Sequence, residues 1–284
     1  MTIREAIHTS AGALEAAGVP DPQIDAELLL MHVTGLDRMS MRLSGTIQRT
    51  TEQEQRLSSL LLSRTQRKPL QYLLGTQYFY GLPFHVDERV LIPRQETESL
   101  CELGIAHLRT LKGAPRALDL CTGSGAIAVT LRHEHPAAAV TACDLSCDAL
   151  AVAQQNARLN GAEITFLQGD LWQPLEDMRF DLILSNPPYI PTLECDDLQT
   201  EVMQEPRMAL DGGADGLDFY RRIAQGATAH LNPGGMLAVE AGDHESEAIA
   251  ALFKEAGLAD VTIHNDLYGM PRMVSGRAKE QSNV

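Results

Sequence analysis

Apolar positions follow two different periods along this chain of 284 residues. Up to about Leu74 they recur every three to four residues, the spacing of one helix face. Ile3, Ala6, Ile7 and Leu14 share such a face behind Thr2-x-x-Glu5, a capping box that predicts a helix start. Gly18-Val-Pro20 stops that helix, and Asp21-Pro22 opens the next with Asp as N-cap and Pro at the first position. Leu28, Leu29, Leu30 and Val33 supply its core before Gly35 ends it. Thr51-x-x-Glu54 predicts a third helix with Leu57, Leu60 and Leu61 inward, and Pro69 marks a break. Residues 1–74 thus read as a small helical-bundle domain.

After Gly81 the pattern alternates, and the segment from Tyr78 to Val86 predicts a β-hairpin that joins domains over residues 75–92. A helix is expected from about Thr97 to Arg109. Beyond it, short apolar runs at 117–120, 140–144, 164–168, 180–185, 236–240, 261–264 and 273–276 predict seven strands. Amphipathic stretches at 126–133, 148–159, 218–230 and 245–256 separate most of them. Such alternation predicts an α/β fold, a doubly wound Rossmann-like sheet, over residues 93–284. The last two strands are joined too briefly for a crossover, so one of them is expected to run antiparallel.

Asn186-Pro187-Pro188-Tyr189 follows the fourth of these strands. Two prolines cannot extend a sheet, since neither donates an N–H and both fix φ. The chain must leave the sheet stiffly at a strand's C-terminal end, where open α/β sheets bind ligands. An amide, carbonyls without competing N–H groups and an aromatic ring suit the grip of a flat NH2 group. Asn186 and a backbone carbonyl can accept its two hydrogens, and Tyr189 can cover its face.

A second motif, Asp119-Leu-Cys-Thr-Gly-Ser-Gly125, follows the first strand and opens a helix. Cys121, Thr122, Gly123, Ser124 and Gly125 form a turn that lets the backbone approach a ligand closely, and Asp144 ends the next strand where ribose hydroxyls would be met. NAD, FAD and S-adenosylmethionine all fit such a loop. Asp119 tips the choice toward a cationic ligand without phosphate, which S-adenosylmethionine is. Its alternative role is to cap the amides of the loop itself. Gly169-Asp170-Leu171-Trp172 follows the third strand, with Asp170 placed for an adenine amino group and Leu171 or Trp172 for the ring.

Composition narrows the rest. The formal net charge of −15 disfavours a duplex-DNA partner, which calls for a basic footprint. No apolar run is long enough to span a bilayer, and the first residues lack the apolar core of a signal peptide. A cytoplasmic protein without membrane partner is expected. The five cysteines show no C-x-x-C spacing, and no H-E-x-x-H is present, so no metal is expected.

The glycine loop, Asp144 and Asn-Pro-Pro-Tyr, in this order, resemble class I S-adenosylmethionine-dependent methyltransferases. More narrowly, the chain resembles the protein-(glutamine-N5) methyltransferases of bacterial release factors. Three stretches carry this: Pro69-Leu-Gln-Tyr-Leu-Leu-Gly75, the segment from Phe79 through Arg94-Gln-Glu-Thr-Glu98, and Glu205-Pro-Arg-Met-Ala-Leu-Asp-Gly-Gly213 onward to Tyr220. Two positions depart from the family: Gln95 replaces a proline, and Cys121 replaces the first glycine of the loop. Cys121 is therefore expected to hold a negative φ. The resemblance implies a seven-stranded methyltransferase sheet and methyl transfer from S-adenosylmethionine, leaving S-adenosylhomocysteine. The acceptor would be the glutamine of the Gly-Gly-Gln tip of class 1 peptide-chain release factors, docked by the helical domain. Asn186, Pro187 and Tyr189 would serve the reaction, Pro188 would add to substrate binding, and a monomer is expected. Arg94 and Glu205 are expected to pin loops. The rivals are glutamine methylation of a ribosomal protein, DNA adenine-N6 methylation, a nucleotide-binding dehydrogenase and a non-catalytic binding module.

Overall fold

A computed structural model describes residues 2–280 apart from Ser44, Thr46, Ile47 and Leu267. The chain divides into two compact units, residues 1–75 with 199–204, and residues 76–198 with 205–284. Segment 199–204, placed in the sheet domain by sequence pattern, belongs to the first unit. Its anchor is ionic. Arg64 is buried and donates to Asp25 Oδ2 at 2.7 Å and to Glu201 Oε1 at 2.9 Å, while Arg67 grips both Glu201 oxygens.

In the first unit the helices are α1 (Ile3–Ala16), α2 (Pro22–Thr34), α3 (Arg38–Leu43), α4 (Thr51–Thr65) and α5 (Leu70–Leu74). Thr2 and Glu5 cap α1 reciprocally, as the motif predicts. Two details differ from expectation. Asp21 precedes α2 without a capping side-chain hydrogen bond. The box at α4 is formed one residue earlier, by Thr50 and Gln53. Either threonine could cap, and the register that buries Leu57 against Leu29, Leu30 and Val33 selects Thr50.

The second unit opens with a hairpin, β1 (Thr76–Phe79) and β2 (Leu82–His85). Tyr80 and Gly81 link the strands at φ 51° and 75°, the left-handed pair that matches strand twist in a two-residue turn. Then follow α6 (Glu96–Leu108), β3 (Arg116–Leu120), α7 (Ala126–Glu134), β4 (Ala139–Asp144), α8 (Cys147–Leu159), β5 (Thr165–Gln168) and β6 (Phe180–Ser185). After a long loop come α9 (Asp218–His230), β7 (Leu231–Glu240), α10 (Ser246–Glu255), β8 (Ala259–Asn265) and β9 (Pro271–Arg277). Gln95 holds φ −64°, the angle a proline ring fixes, so its departure from the family keeps the turn before α6.

Strands β3 to β9 form one sheet in the order β5-β4-β3-β6-β7-β9-β8. All pairings are parallel except those of β9, which runs antiparallel to both neighbours. Strand alternation sorts side chains to two faces. Leu182 and Leu184 join Leu100, Ile105 and Leu131 of α6 and α7 on one face. Ile183, Leu237 and Val239 join Tyr220, Ile223 and Phe253 of α9 and α10 on the other. Both faces are covered, which is why the strands read as continuous apolar runs. The chain leaves β3 toward β4 and β5, then returns to the other side of β3 at β6. This reversal is the switch point at which such sheets open a crevice.

Candidate active site

The crevice is a cavity of about 370 Å³, within the range of small-molecule sites. The turn after β3 forms one wall with Cys121, Thr122, Gly123 and Ser124. Asp144 at the end of β4, and Asp170 and Leu171 after β5, form the next. Asn186 and Pro188 close it from the end of β6. Most residues singled out by sequence therefore meet in one place. Asp119, Gly125, Pro187, Tyr189 and Trp172 are outside the lining, and Asp119 is fully buried behind the turn.

The glycine turn is held by its acids. Asp119 is fully buried, and its Oδ2 accepts from Thr122 Oγ1 at 2.5 Å and Ala128 N at 3.0 Å. This is the loop-capping role. Its other oxygen, Oδ1, meets no donor among the described residues. Burial pushes the Asp119 carboxyl up to about 7, against the two hydrogen bonds. Asp144 accepts from Gly123 N at 2.8 Å and Ser146 N at 2.9 Å, and burial raises its pKa as well. Gly125 ends the turn at φ 82°, where a Cβ would come within 3.0 Å of Ala153 Cβ.

Cys121 holds φ 63°, which overturns the expected negative value. The turn needs a left-handed residue at this point, so the Cβ is tolerated at a cost of about 1 kcal/mol. Burial also holds its thiol well above the ordinary range.

Trp172 is placed differently from expectation. Its indole stacks on His230 at 4.7 Å between ring centroids, and its Nε1 donates to the Arg222 carbonyl. The ring packs on α9, drawn there by partners some fifty residues away. Tyr189 lies beside Gly242, where a Cβ would sit 2.9 Å from its Cδ2. The ring packs into the apolar layer with α9 and α10, which stiffens the Asn-Pro-Pro-Tyr corner instead of walling the cavity.

Sequence pattern missed several lining residues. Arg89, Val90 and Leu91 come from the segment after the hairpin, and Phe219 and Arg222 from α9. Arg222 pairs with Asp170 at 2.6 Å and lies over the Phe219 ring. Arg89 is held by Asp87, whose pKa it draws down to about 2. Glu205 is buried and accepts from Ile92 N at 2.9 Å and from Arg94 at 2.5 Å, tying the segment before α6 to the loop that follows Glu201.

Thr97 is the most consequential omission. Gly104 lets α6 press onto β6, since a Cβ there would come within 2.7 Å of Leu184. The first turn of α6 then sets Thr97 against the ends of β6 and β7. Asn186 Nδ2 donates to Thr97 Oγ1 at 3.1 Å, and Thr97 Oγ1 donates to Glu240 Oε2 at 2.6 Å. Glu240 is buried, and burial pushes its carboxyl up to about 7.

The acids around the turn suit S-adenosylmethionine. The buried acids Asp119 and Asp144 gain from a cationic ligand, which lowers their pKa values, and would repel a pyrophosphate.

A doubly wound sheet with a glycine turn, terminal acids and an amide corner at its switch point defines an α/β methyltransferase domain. Residues 101–215 match the methyltransferase small domain, and residues 5–75 match the PrmC N-terminal domain. A release factor glutamine methyltransferase from Geobacter sulfurreducens is 44% identical over 277 residues, covering 97% of this chain and 96% of its own. A second, from Deinococcus radiodurans, is 40% identical and covers 98% and 99%. A methyltransferase from Pyrococcus furiosus shares the fold, with a TM-score of 0.52 at 20% identity over 70% of this chain and 90% of its own. The chain belongs to the release factor glutamine methyltransferase family.

Proposed function

We propose that this chain transfers the methyl group of S-adenosylmethionine to the side-chain nitrogen of the glutamine in the Gly-Gly-Gln tip of class 1 peptide-chain release factors. One observation carries the reading: Asn186 and Pro188 line the same cavity as the Cys121–Ser124 turn, Asp144 and Asp170. An amide grip and a cofactor cradle thus share one space.

When bound, S-adenosylmethionine supplies a methyl carbon on a sulfonium, a strong electrophile. Asp119, the turn amides and Asp144 would hold its charged and ribose ends, and Asp170 and Leu171 its adenine. The residues of the chain then have a positioning task. A carboxamide nitrogen is a weak nucleophile because its lone pair is delocalised. Asn186 Oδ1 and the Pro187 carbonyl accept its two hydrogens and fix its direction, which is proximity catalysis. As positive charge grows on that nitrogen, both acceptors bind it more strongly, so the interaction favours the transition state. Pro187 and Pro188 hold the corner rigid, and Tyr189 anchors it from behind. The surplus proton leaves to water, because an N-protonated amide is very acidic. S-adenosylhomocysteine is the second product.

The helical unit, residues 1–74 by sequence pattern, docks the rest of the partner. The net charge of −15 supports a protein acceptor over DNA. Among the described residues no helix is long and apolar enough to cross a membrane. A monomer acting in the cytoplasm completes the reading.

The test is Asn186→Ala, assayed by mass spectrometry of a release factor's Gly-Gly-Gln peptide and by calorimetry with S-adenosylmethionine. Turnover should fall by about a hundredfold or more, with cofactor binding kept. Turnover near wild type removes the assigned role. Preferential methylation of a ribosomal protein or of DNA by the native chain replaces the substrate.

A further inference from the structure

An asparagine amide can face a cavity in two ways, because a half-turn about its last bond exchanges Oδ1 and Nδ2. Only one orientation accepts hydrogens from a substrate NH2 group. The residues behind Asn186 decide which one is populated. Thr97 carries a single hydroxyl hydrogen, and it is directed at Glu240 Oε2, 2.6 Å away. Toward Asn186, Thr97 therefore has lone pairs only. Asn186 must answer with a hydrogen, and its Nδ2 lies 3.1 Å from Thr97 Oγ1. Oδ1 is left for the substrate.

We propose that Thr97 and Glu240 are positioning residues that lock the Asn186 amide with its carbonyl toward the substrate, and thereby make the enzyme select a glutamine over a glutamate. The inference rests on Asn186 as the acceptor for the substrate amide. A carboxylate has no hydrogen to offer Oδ1 and would need Nδ2 instead. Locking the amide thus places one acceptor against another whenever glutamate enters. Glutamine and glutamate have nearly the same shape, so a hydrogen-bonding filter is what can separate them. A site built to hydrogen-bond a polar group rejects an analogue that cannot pair with it far better than shape alone does.

The placement of Glu240 supports a role beyond packing. It is the last residue of β7, buried at 4% exposure, directly after the buried apolar run Met236–Val239. Burying a carboxylate is costly unless its hydrogen bonds are used. Here one oxygen fixes the direction of the Thr97 hydroxyl, and that direction fixes Asn186.

The experiment compares wild type with Thr97→Val, Thr97→Ser, Glu240→Gln and Asn186→Ala. Each is assayed for turnover of a Gly-Gly-Gln peptide, inhibition by the matching Gly-Gly-Glu peptide, cofactor binding and thermal melting. Thr97→Val keeps the shape and frees the amide to rotate. Its kcat/KM should fall about tenfold, the factor of one hydrogen bond. The glutamate peptide should inhibit relatively more strongly by a similar factor, with cofactor affinity retained. Thr97→Ser should restore both. Glu240→Gln can donate to Thr97, turning the hydroxyl toward Asn186, and should shift selectivity the same way as Thr97→Val.

If Thr97→Val and Glu240→Gln keep wild-type selectivity while Asn186→Ala is inactive, the positioning role is wrong and the amide grip stands. If Asn186→Ala itself retains turnover, the grip fails and this inference with it. Should Thr97→Val not fold, the selectivity of Glu240→Gln decides the question.

Discussion

The carboxamide of Asn156 closes on both backbone groups of His85. Its Oδ1 accepts from His85 N at 2.7 Å, and its Nδ2 donates to His85 O at 3.0 Å. The remaining Nδ2 hydrogen goes to Ser124 O at 2.9 Å, inside the glycine turn. One fully buried side chain from α8 therefore joins the hairpin to the wall of the cofactor cavity.

Asn156→Ala takes this partner from three backbone groups at once. We expect a loss of about 2–4 kcal/mol in urea unfolding, together with weaker S-adenosylmethionine binding, since Ser124 moves with the turn. Asn156→Asp should be worse at pH 8, because it sets acceptors against the His85 and Ser124 carbonyls. An alanine variant with a wild-type unfolding midpoint would show that the hairpin is held by its apolar contacts alone.

Cys121 offers the opposite case, a residue whose replacement should stabilise. Its φ of 63° suits glycine better than any residue with a Cβ. Cys121→Gly relieves that strain and gives back part of it as extra freedom of the unfolded chain. A net gain of about 0.5–1 kcal/mol is expected, read as a higher urea midpoint with unchanged cofactor affinity. A lower midpoint would mean that the thiol's packing outweighs the backbone strain.

Cys121 also shows where sequence pattern is legible and where it stops. Strands and helices of the sheet domain were legible because a strand covered on both faces leaves a short continuous apolar run and a helix with one buried face leaves a period of 3.6 in the local sequence. Asp218–His230 begins and ends as predicted, and β9 runs antiparallel as its short connection requires. The Asn-Pro-Pro-Tyr and glycine motifs were legible because proline and glycine act on the backbone locally. Long-range partners leave no such trace. Nothing near Trp172 announces His230, nothing near Arg64 announces Glu201, and nothing near Asn186 announces Thr97 and Glu240. Helix α3 was missed because six residues are too few to set a period. At Cys121 the side chain argued for negative φ, but the turn's need for a left-handed residue prevailed.

Asp119 yields a prediction in which stability and function oppose each other. Its folded pKa is raised to about 7 by burial, from about 3.9 in an unfolded chain. The folded protein therefore holds this proton more tightly than the unfolded chain does. Stability from this group is full below about pH 4 and is lost as pH rises through about 7, where the buried carboxylate must ionise. Glu240 and Glu245, both raised to about 7 by burial, act in the same window. Glu201 and Asp87, drawn down to about 2, act in a lower one. Asp119→Asn removes the ionisation. Its Oδ1 can still accept from Thr122 and Ala128, while Nδ2 takes the place of the oxygen that meets no donor. Unfolding measured in urea at pH 5, 6, 7 and 8 should show a shallower decline for the variant, with the difference largest at pH 8. Adding S-adenosylmethionine should reverse the ranking, because its positive charge favours the ionised wild-type carboxylate. Wild type should then gain more stability from the ligand at pH 8 than the variant does. Parallel pH profiles with and without ligand would place Asp119 outside the cofactor's electrostatic reach and leave it only its role in the turn.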